Sequence, residues 1–287
     1  MLLFHAELDD HSHSEGRNSD PGLYSTFLES RPQQLEMDAI SLITNLQLSY
    51  PNLQCHIVHL SAASALPIIR AAKAAGLKLS VETCFHYLCL SSDDIPPGHP
   101  EFKCCPPIRD TRNQDRLWDA LKAGVIDCVV SDHSPCVAEL KHMDEGNIMT
   151  AWGGISTLGL GLSLLWTEAN KRGVSIAQIV RWTSQNTAKH AGLNGSKGQL
   201  EVGYDADFVV WDPDAEHKVW LSHEPGRIID DEAIKVTLES LQFRNKVSPY
   251  VGKTLRGRVE RTYLRGVMIY DRTADDGTEI PLVGRLI

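Results

Sequence analysis

Three side chains in this chain of 287 residues stand where an apolar run stops, and all three are metal donors. His5 ends the run from Leu2, His59 ends the run His56-Ile57-Val58-His59-Leu60, and Asp132 ends Ile126-Asp127-Cys128-Val129-Val130-Ser131. Imidazole nitrogen and carboxylate oxygen are the usual donors of hydrolytic zinc sites, where an open coordination position keeps a water. One histidine at a strand end is commonly a structural cap, but three donors at equivalent strand ends point to one metal-competent cluster. A carboxylate in such a cluster can also carry a proton, so Asp132 is the candidate catalytic residue as well as a candidate ligand.

The remaining histidines read differently. His11-Ser12-His13 has a spacing that grips metal when it ends an apolar strand, yet here it follows Leu8-Asp9-Asp10 and precedes Ser14-Glu15-Gly16. No strand can orient it there, and the pair is expected to be dispensable. His56 lies an odd number of positions from His59, so an extended strand turns it to the opposite face, toward the outer helices, as a core residue. His86 and His133 fall just past strand ends, where substrate contact and a structural loop hydrogen bond both remain open.

The elements that would position these residues follow a βα rhythm from Leu2 to about Gly192. Strands are expected near 2–6, 54–60, 77–84 and 125–131. Between them, Gln33–Ser49 carries Leu35, Ala39, Ile40, Ile43 and Leu46 at helical spacing behind Ser30-Arg31-Pro32. Helices are also expected from Ser64 to Ala75 and from Arg112 to Ala123, each stopped by a glycine suited to the left-handed closing position, Gly76 and Gly124. Two more should follow, around Ile155–Lys171 and Ser175–Ala191. In a parallel barrel the residues at the C-terminal strand ends converge on one face, where His5, His59 and Asp132 fall. After Asn194 the texture changes to short alternating runs with Gly and Asp turns. The division expected is a partial barrel over 1–193 and a β-rich domain over 194–287.

Composition excludes more than it names. With 42% hydrophobic and 23% charged residues the chain is that of an ordinary globular protein, and its net charge of -9 with no dense Lys/Arg cluster disfavours nucleic acid as a partner. A small-molecule substrate is the better expectation. Seven cysteines without CxxC spacing read as buried thiols in a reducing compartment. No run approaches the roughly 18 apolar residues of a membrane span, so no membrane partner is expected. The C-terminal Gly-Arg-Leu-Ile lacks a peroxisomal signal, which leaves the cytoplasm as the default location without excluding the peroxisome.

Several motifs together carry a family resemblance. They are His5-Ala6-Glu7, His59-Leu60-Ser61, Lys103-Cys104-Cys105-Pro106-Pro107-Ile108-Arg109-Asp110 and Val130-Ser131-Asp132-His133-Ser134-Pro135-Cys136. Gly146-Asn147-Ile148-Met149, Ala151-Trp152-Gly153-Gly154-Ile155 and Lys246-Val247-Ser248-Pro249-Tyr250-Val251-Gly252 extend the match to nearly the whole chain. The set resembles the allantoinases of the amidohydrolase superfamily. The stretch Asp205–Asp212 identifies only the superfamily, whereas the loops around Ser134 and Gly153 are unlike those of dihydropyrimidinases.

The resemblance implies a (β/α)8 TIM barrel, of which this chain holds the C-terminal half, plus a small β-rich sandwich domain. It implies zinc, two ions in a complete site, with His5, His59 and Asp132 as ligands, and hydrolysis of allantoin to allantoate. Cys105 and Gly153 fall where the family presents backbone groups to the substrate, with Ser134 beside the aspartate; Cys105 replaces the more usual serine. A homo-oligomer, a homotetramer, is also implied. The family's first-strand HxH pair and bridging carboxylated lysine have no counterpart here, and Met1 lies directly on a strand-like run. The expectation is therefore an incomplete form, with four strands missing upstream, weak metal binding, and low activity and a tendency to aggregate when alone. Two other readings stand beside it: a dihydropyrimidinase or hydantoinase type of hydrolase, and a non-catalytic assembly protein related to dihydropyrimidinase. Retention of all three candidate ligands argues against the last.

Overall fold

The computed structural model describes residues 1–8, 20–219, 235–236, 244–274 and 284. His11 and His13 lie outside them. The chain divides into two compact units, one of residues 1–161 and 242–249, the other of 162–241 and 250–287.

In the first unit four strands form a sheet in chain order: β1 (Leu2–Phe4), β2 (Cys55–Ile57), β3 (Leu79–Cys84) and β4 (Cys128–Val130). Every pairing is parallel, with Leu3 opposite His56, His56 opposite Ser80 and Glu82 opposite Cys128. All four expected strands are present, each shorter than its apolar run. β2 stops early because His59 takes φ +41, and the run after β4 leaves extended geometry at Asp132, φ +43. Among the described residues β1 pairs only with β2, and Leu2 and Leu3 on it are exposed.

Helices join the strands. α1 (Tyr24–Ser30), which the periodicity did not announce, and α2 (Gln34–Ser49) link β1 to β2, α3 (Leu66–Ala74) links β2 to β3, and α4 (Phe85–Cys89) and α5 (Thr111–Lys122) link β3 to β4. The start of α5 is set by Asp110, whose carboxylate accepts the Asn113 amide at 2.7 Å. Gly76 and Gly124 close α3 and α5 at φ +78 and +70, the left-handed positions where only glycine escapes a Cβ penalty. Ile57, Ile69, Val81, Leu117 and Leu121 are buried between sheet and helices. Each such side chain contributes about 1.5–3 kcal/mol. After β4 comes the short α6 (Ala138–Lys141).

The second unit opens with α7 (Gly161–Lys171), whose first residue still belongs to the first unit. The helix starts later than the expected Ile155, because Ile155 is taken up in a parallel bridge to His133. α8 (Ile176–Val180) begins with a capping box between Ser175 and Gln178. A π-helical turn, Arg181–Gln185, carries it into α9 (Asn186–His190). The β-rich part is a mixed sheet: β5 (Phe208–Val219) is antiparallel to β7 (Thr254–Leu264), β7 to β8 (Val267–Asp271), and β6 (Lys235–Val236) is parallel to β5. β5 and β7 are longer than the short runs expected. Pro213 does not break β5, because the register shift between Asp212 and Glu216 absorbs it as an irregularity. Trp211 packs edge-on to Trp166 at 5.5 Å.

Candidate metal and substrate site

β1 and β2 are neighbours, so the residues just beyond them meet. His5 Nδ1 and His59 Nε2 stand 2.9 Å apart, one ring donating and the other accepting. His59 is buried, and burial lowers its pKa, with the His5 charge adding to the effect and Asp132 and Glu7 opposing it. The neutral form, which offers a lone pair, is favoured. His5 Nε2 in turn meets the Glu7 carboxylate at 3.0 Å, and Arg31 donates to the same oxygen at 2.8 Å. Burial raises the Glu7 pKa, but the His5 hydrogen bond and the Arg31 charge outweigh it and hold the carboxyl below its ordinary value. A carboxylate on the far nitrogen orients an imidazole and raises its basicity.

Asp132 stands past the end of β4, at the opposite edge of the sheet from β1. Its carboxylate, the Cys84 thiol and a His86 ring nitrogen lie within 4.8 Å of one another. His86 is fully buried, and among the described residues neither of its ring nitrogens has a hydrogen-bond partner. Burial and the nearby His59 charge push its pKa down to about 3. It makes no loop hydrogen bond, unlike His133, whose Nδ1 accepts the Thr157 and Leu158 amides at 3.0 and 3.1 Å. His133 therefore holds the loop after Ile155. His56 is fully buried against β3, with Ser80 Oγ at 2.7 Å and Glu82 at 3.1 Å. It is a core residue facing the neighbouring strand rather than the outer helices.

His59 and Asp132 share a feature that composition does not reveal. Both are non-glycine residues at positive φ, a sparsely populated conformation that persists where the surrounding structure over-determines it. The surroundings of His59 are identifiable. Glu36 on α2 accepts the Ser61 and Ala62 amides at 2.9 and 3.0 Å, and its other oxygen accepts from Arg109 at 3.0 Å. Burial pushes the Glu36 carboxyl up even against the Arg109 charge.

Cys105, Ser134 and Gly153, the residues expected on the substrate side, lie on three neighbouring loops. A methyl group on Gly153 would sit 3.1 Å from Cys105 Sγ, and one on Gly154 would sit 2.5 Å from the Ser134 carbonyl oxygen. Only glycine allows so close a passage at 154. Ser134 donates its amide to Ile155 O at 3.1 Å, and Gly154 donates to Lys103 O at 2.9 Å. Cys105, Ser134 and Gly153 thus line adjoining backbone segments. The Cys105 thiol is raised by burial, with Arg31 opposing, so it is a neutral SH rather than a nucleophilic thiolate. None of the seven cysteines is in a disulfide.

A donor set of imidazoles and a carboxylate at the C-terminal ends of parallel strands defines a class: α/β proteins of the barrel type with a metal-competent site. The chain belongs to the amidohydrolase family, which it matches over residues 37–269. It is 44% identical to an allantoinase of Saccharomyces cerevisiae over 94% of this chain and 55% of the relative. It is 45% identical to an allantoinase of Streptomyces avermitilis over 100% of this chain and 58% of the relative. The chain spans just over half the length of these curated relatives. Among solved structures it superposes on a D-hydantoinase from Bacillus sp. AR9 with TM-score 0.77 at 29% identity, covering 94% of this chain and 57% of that one. For an L-hydantoinase from Arthrobacter aurescens the TM-score is 0.83 at 24% identity, with 98% and 58% covered, a likeness of fold alone.

The Glu7–Arg31, Glu36–Arg109 and Lys141 contacts are formed by residues that the local pattern does not mark. For Glu7 the one available signal is its place two residues after His5 in His5-Ala6-Glu7. Nothing local marks the others.

Proposed function

We propose that the protein containing this chain hydrolyses a cyclic amide, allantoin, to the open-chain allantoate. The observation that supports the reading is that His5 and His59 meet at 2.9 Å beyond neighbouring parallel strands while Asp132, whose charge reaches His59, follows the fourth, with His59 and Asp132 both at positive φ. The residues fit zinc: two imidazole nitrogens already face each other at 2.9 Å, and the His5 ring is backed by a buried carboxylate. His5 and His59 would hold one ion and Asp132 the other. Bound zinc would lower the pKa of a water and polarise the ring carbonyl.

The chain's own residues supply the rest. Asp132 takes a proton from the water, whose oxygen bonds to the carbonyl carbon. The ring carbon–nitrogen bond then breaks, and Asp132 returns the proton to the departing nitrogen. Backbone groups of Cys105 and Gly153 hold polar atoms of the ring, with Ser134 beside Asp132. Cys105 serves through its backbone, since its half-buried thiol is neutral and the serine hydroxyl usual at that position is absent. The reading takes 1–193 as part of a (β/α)8 barrel and 194–287 as the β-rich domain, in a homotetrameric enzyme.

The test is to purify the native protein carrying this sequence, load it with zinc and follow the loss of allantoin, hydantoin and dihydrouracil. Preference for allantoin by about tenfold or more in kcat/KM is expected, equivalent to about 1.4 kcal/mol. Preference for hydantoin or dihydrouracil would favour the hydantoinase reading, and no turnover of any of the three would favour the assembly protein.

A further inference from the structure

Lys141, the last residue of α6, is only 3% exposed. Its ammonium, with three N–H donors, is ringed by four backbone carbonyls: Gly154 at 2.6 Å, Trp152 at 2.9 Å, Lys103 at 3.1 Å and, more distant, Pro100 at 3.4 Å. The charge is met by carbonyl dipoles rather than by a carboxylate within ion-pair distance among the described residues. Two of the acceptors lie on the loop that carries Cys105, and two flank Gly153. The same loops are tied again by the Gly154 amide on Lys103 O at 2.9 Å and by Lys103 Nζ on Met149 O at 2.6 Å. At the closest point Gly153 and Cys105 leave no room for a side chain between them without a shift.

A buried ammonium is an expensive way to fill space, since a Met or Leu of similar volume would avoid its desolvation. What an apolar residue cannot do is hold carbonyls from two loops at one point. We propose that Lys141 is a positioning residue for substrate, a cationic clasp that sets the spacing between the Cys105 and Gly153 backbone groups. The proposal rests on the cyclic-amide reading for what those groups receive, but the clasp itself stands on the geometry. Misplacement by an ångström is costly when two fixed groups must meet one rigid ring.

Lys141→Met in the native protein tests it with two readouts. Amide hydrogen exchange in residues 100–105 and 150–155 should quicken by about tenfold or more while β1–β4 keep wild-type protection. KM for allantoin should rise by about tenfold with kcat within about threefold of wild type, whereas a loss of folded protein would lower kcat and leave KM alone. Lys141→Gln, which keeps two N–H donors, should recover part of both. A pH profile adds a signature. Burial lowers the ammonium to about 8, with Cys136 and Cys104 opposing, Lys103 assisting and Glu101 opposing. Wild-type KM should therefore rise above about pH 8, an inflection missing in Lys141→Met. Unchanged loop exchange in both variants would overturn the clasp. Faster exchange with unchanged KM would overturn its role toward substrate. If wild type turns over no allantoin, the functional reading fails, and loop exchange still decides whether the clasp exists.

Discussion

The two units handle charge in opposite ways. In the first, ionisable groups are drawn inside: Glu36 against Arg109, Glu7 against His5 and Arg31, His86 edge-on to Tyr87, Lys141 among carbonyls. In the second, described ion pairs decorate the sheet surface: Arg256 with Glu216, Arg261 with Asp271, and Arg258 and Arg272 on Glu260. Buried polar groups are costly unless satisfied, and surface pairs are worth little. A protein that keeps the costly kind in one unit has concentrated its chemistry there.

The hardest blow to that contrast should fall on Asp132. Asp132→Asn keeps the shape and removes the base, and kcat/KM for allantoin should drop by about 10²–10⁴-fold with the far-ultraviolet circular dichroism unchanged. Activity within tenfold of wild type would remove Asp132 from the mechanism.

Next comes the pair beneath the His59 loop. Glu36→Ala strands the Arg109 charge and two amides, and should cost about 3–5 kcal/mol in urea unfolding. A loss under 1 kcal/mol would mean that water reaches the pair and that the first unit is not dry.

Acid should separate the units. His86 is held neutral in the fold but takes a proton in the unfolded chain below its ordinary 6.5, so the unfolded state binds more protons from there down to about 3. Stability should fall as pH drops through that window. Asp271, held to about 2 chiefly by Arg261, gives stability that is present above 3.8 and lost only as pH falls toward 2. With a chelator present, protection of the first unit's amides should decline first, and His86→Leu should abolish that early decline. Equal acid sensitivity in the variant would place the titrating group elsewhere.

The smallest effect belongs to the second unit's surface. Arg256→Ala breaks an ion pair whose side chains are both about half exposed, and should change stability by about 0–1 kcal/mol, less in high salt. A larger loss would show that the surface network is cooperative.

By itself the sequence determined the four parallel strands, the helices closed by Gly76 and Gly124, and the placing of His5, His59 and Asp132 just past strand ends. Each of these is written locally, in an apolar run, a periodicity or a residue that ends one. The motif resemblance also carried Cys105, Ser134 and Gly153, and the structure brings the three onto adjoining segments. Tertiary structure alone decided the supports. Glu36 meets Arg109 across 73 positions and Arg31 meets Glu7 across 24, so neither pairing leaves a mark in any local window. The start of the helix expected over Ile155–Lys171 moved to Gly161 because Ile155 found a bridge to His133, and Pro213 was tolerated because the opposing strand could slip its register. Local propensity cannot see either event. The same holds for His86 and Lys141, whose roles depend on burial: a side chain's type is fixed by the sequence, but its dielectric surroundings are assembled from segments that meet only in the folded chain.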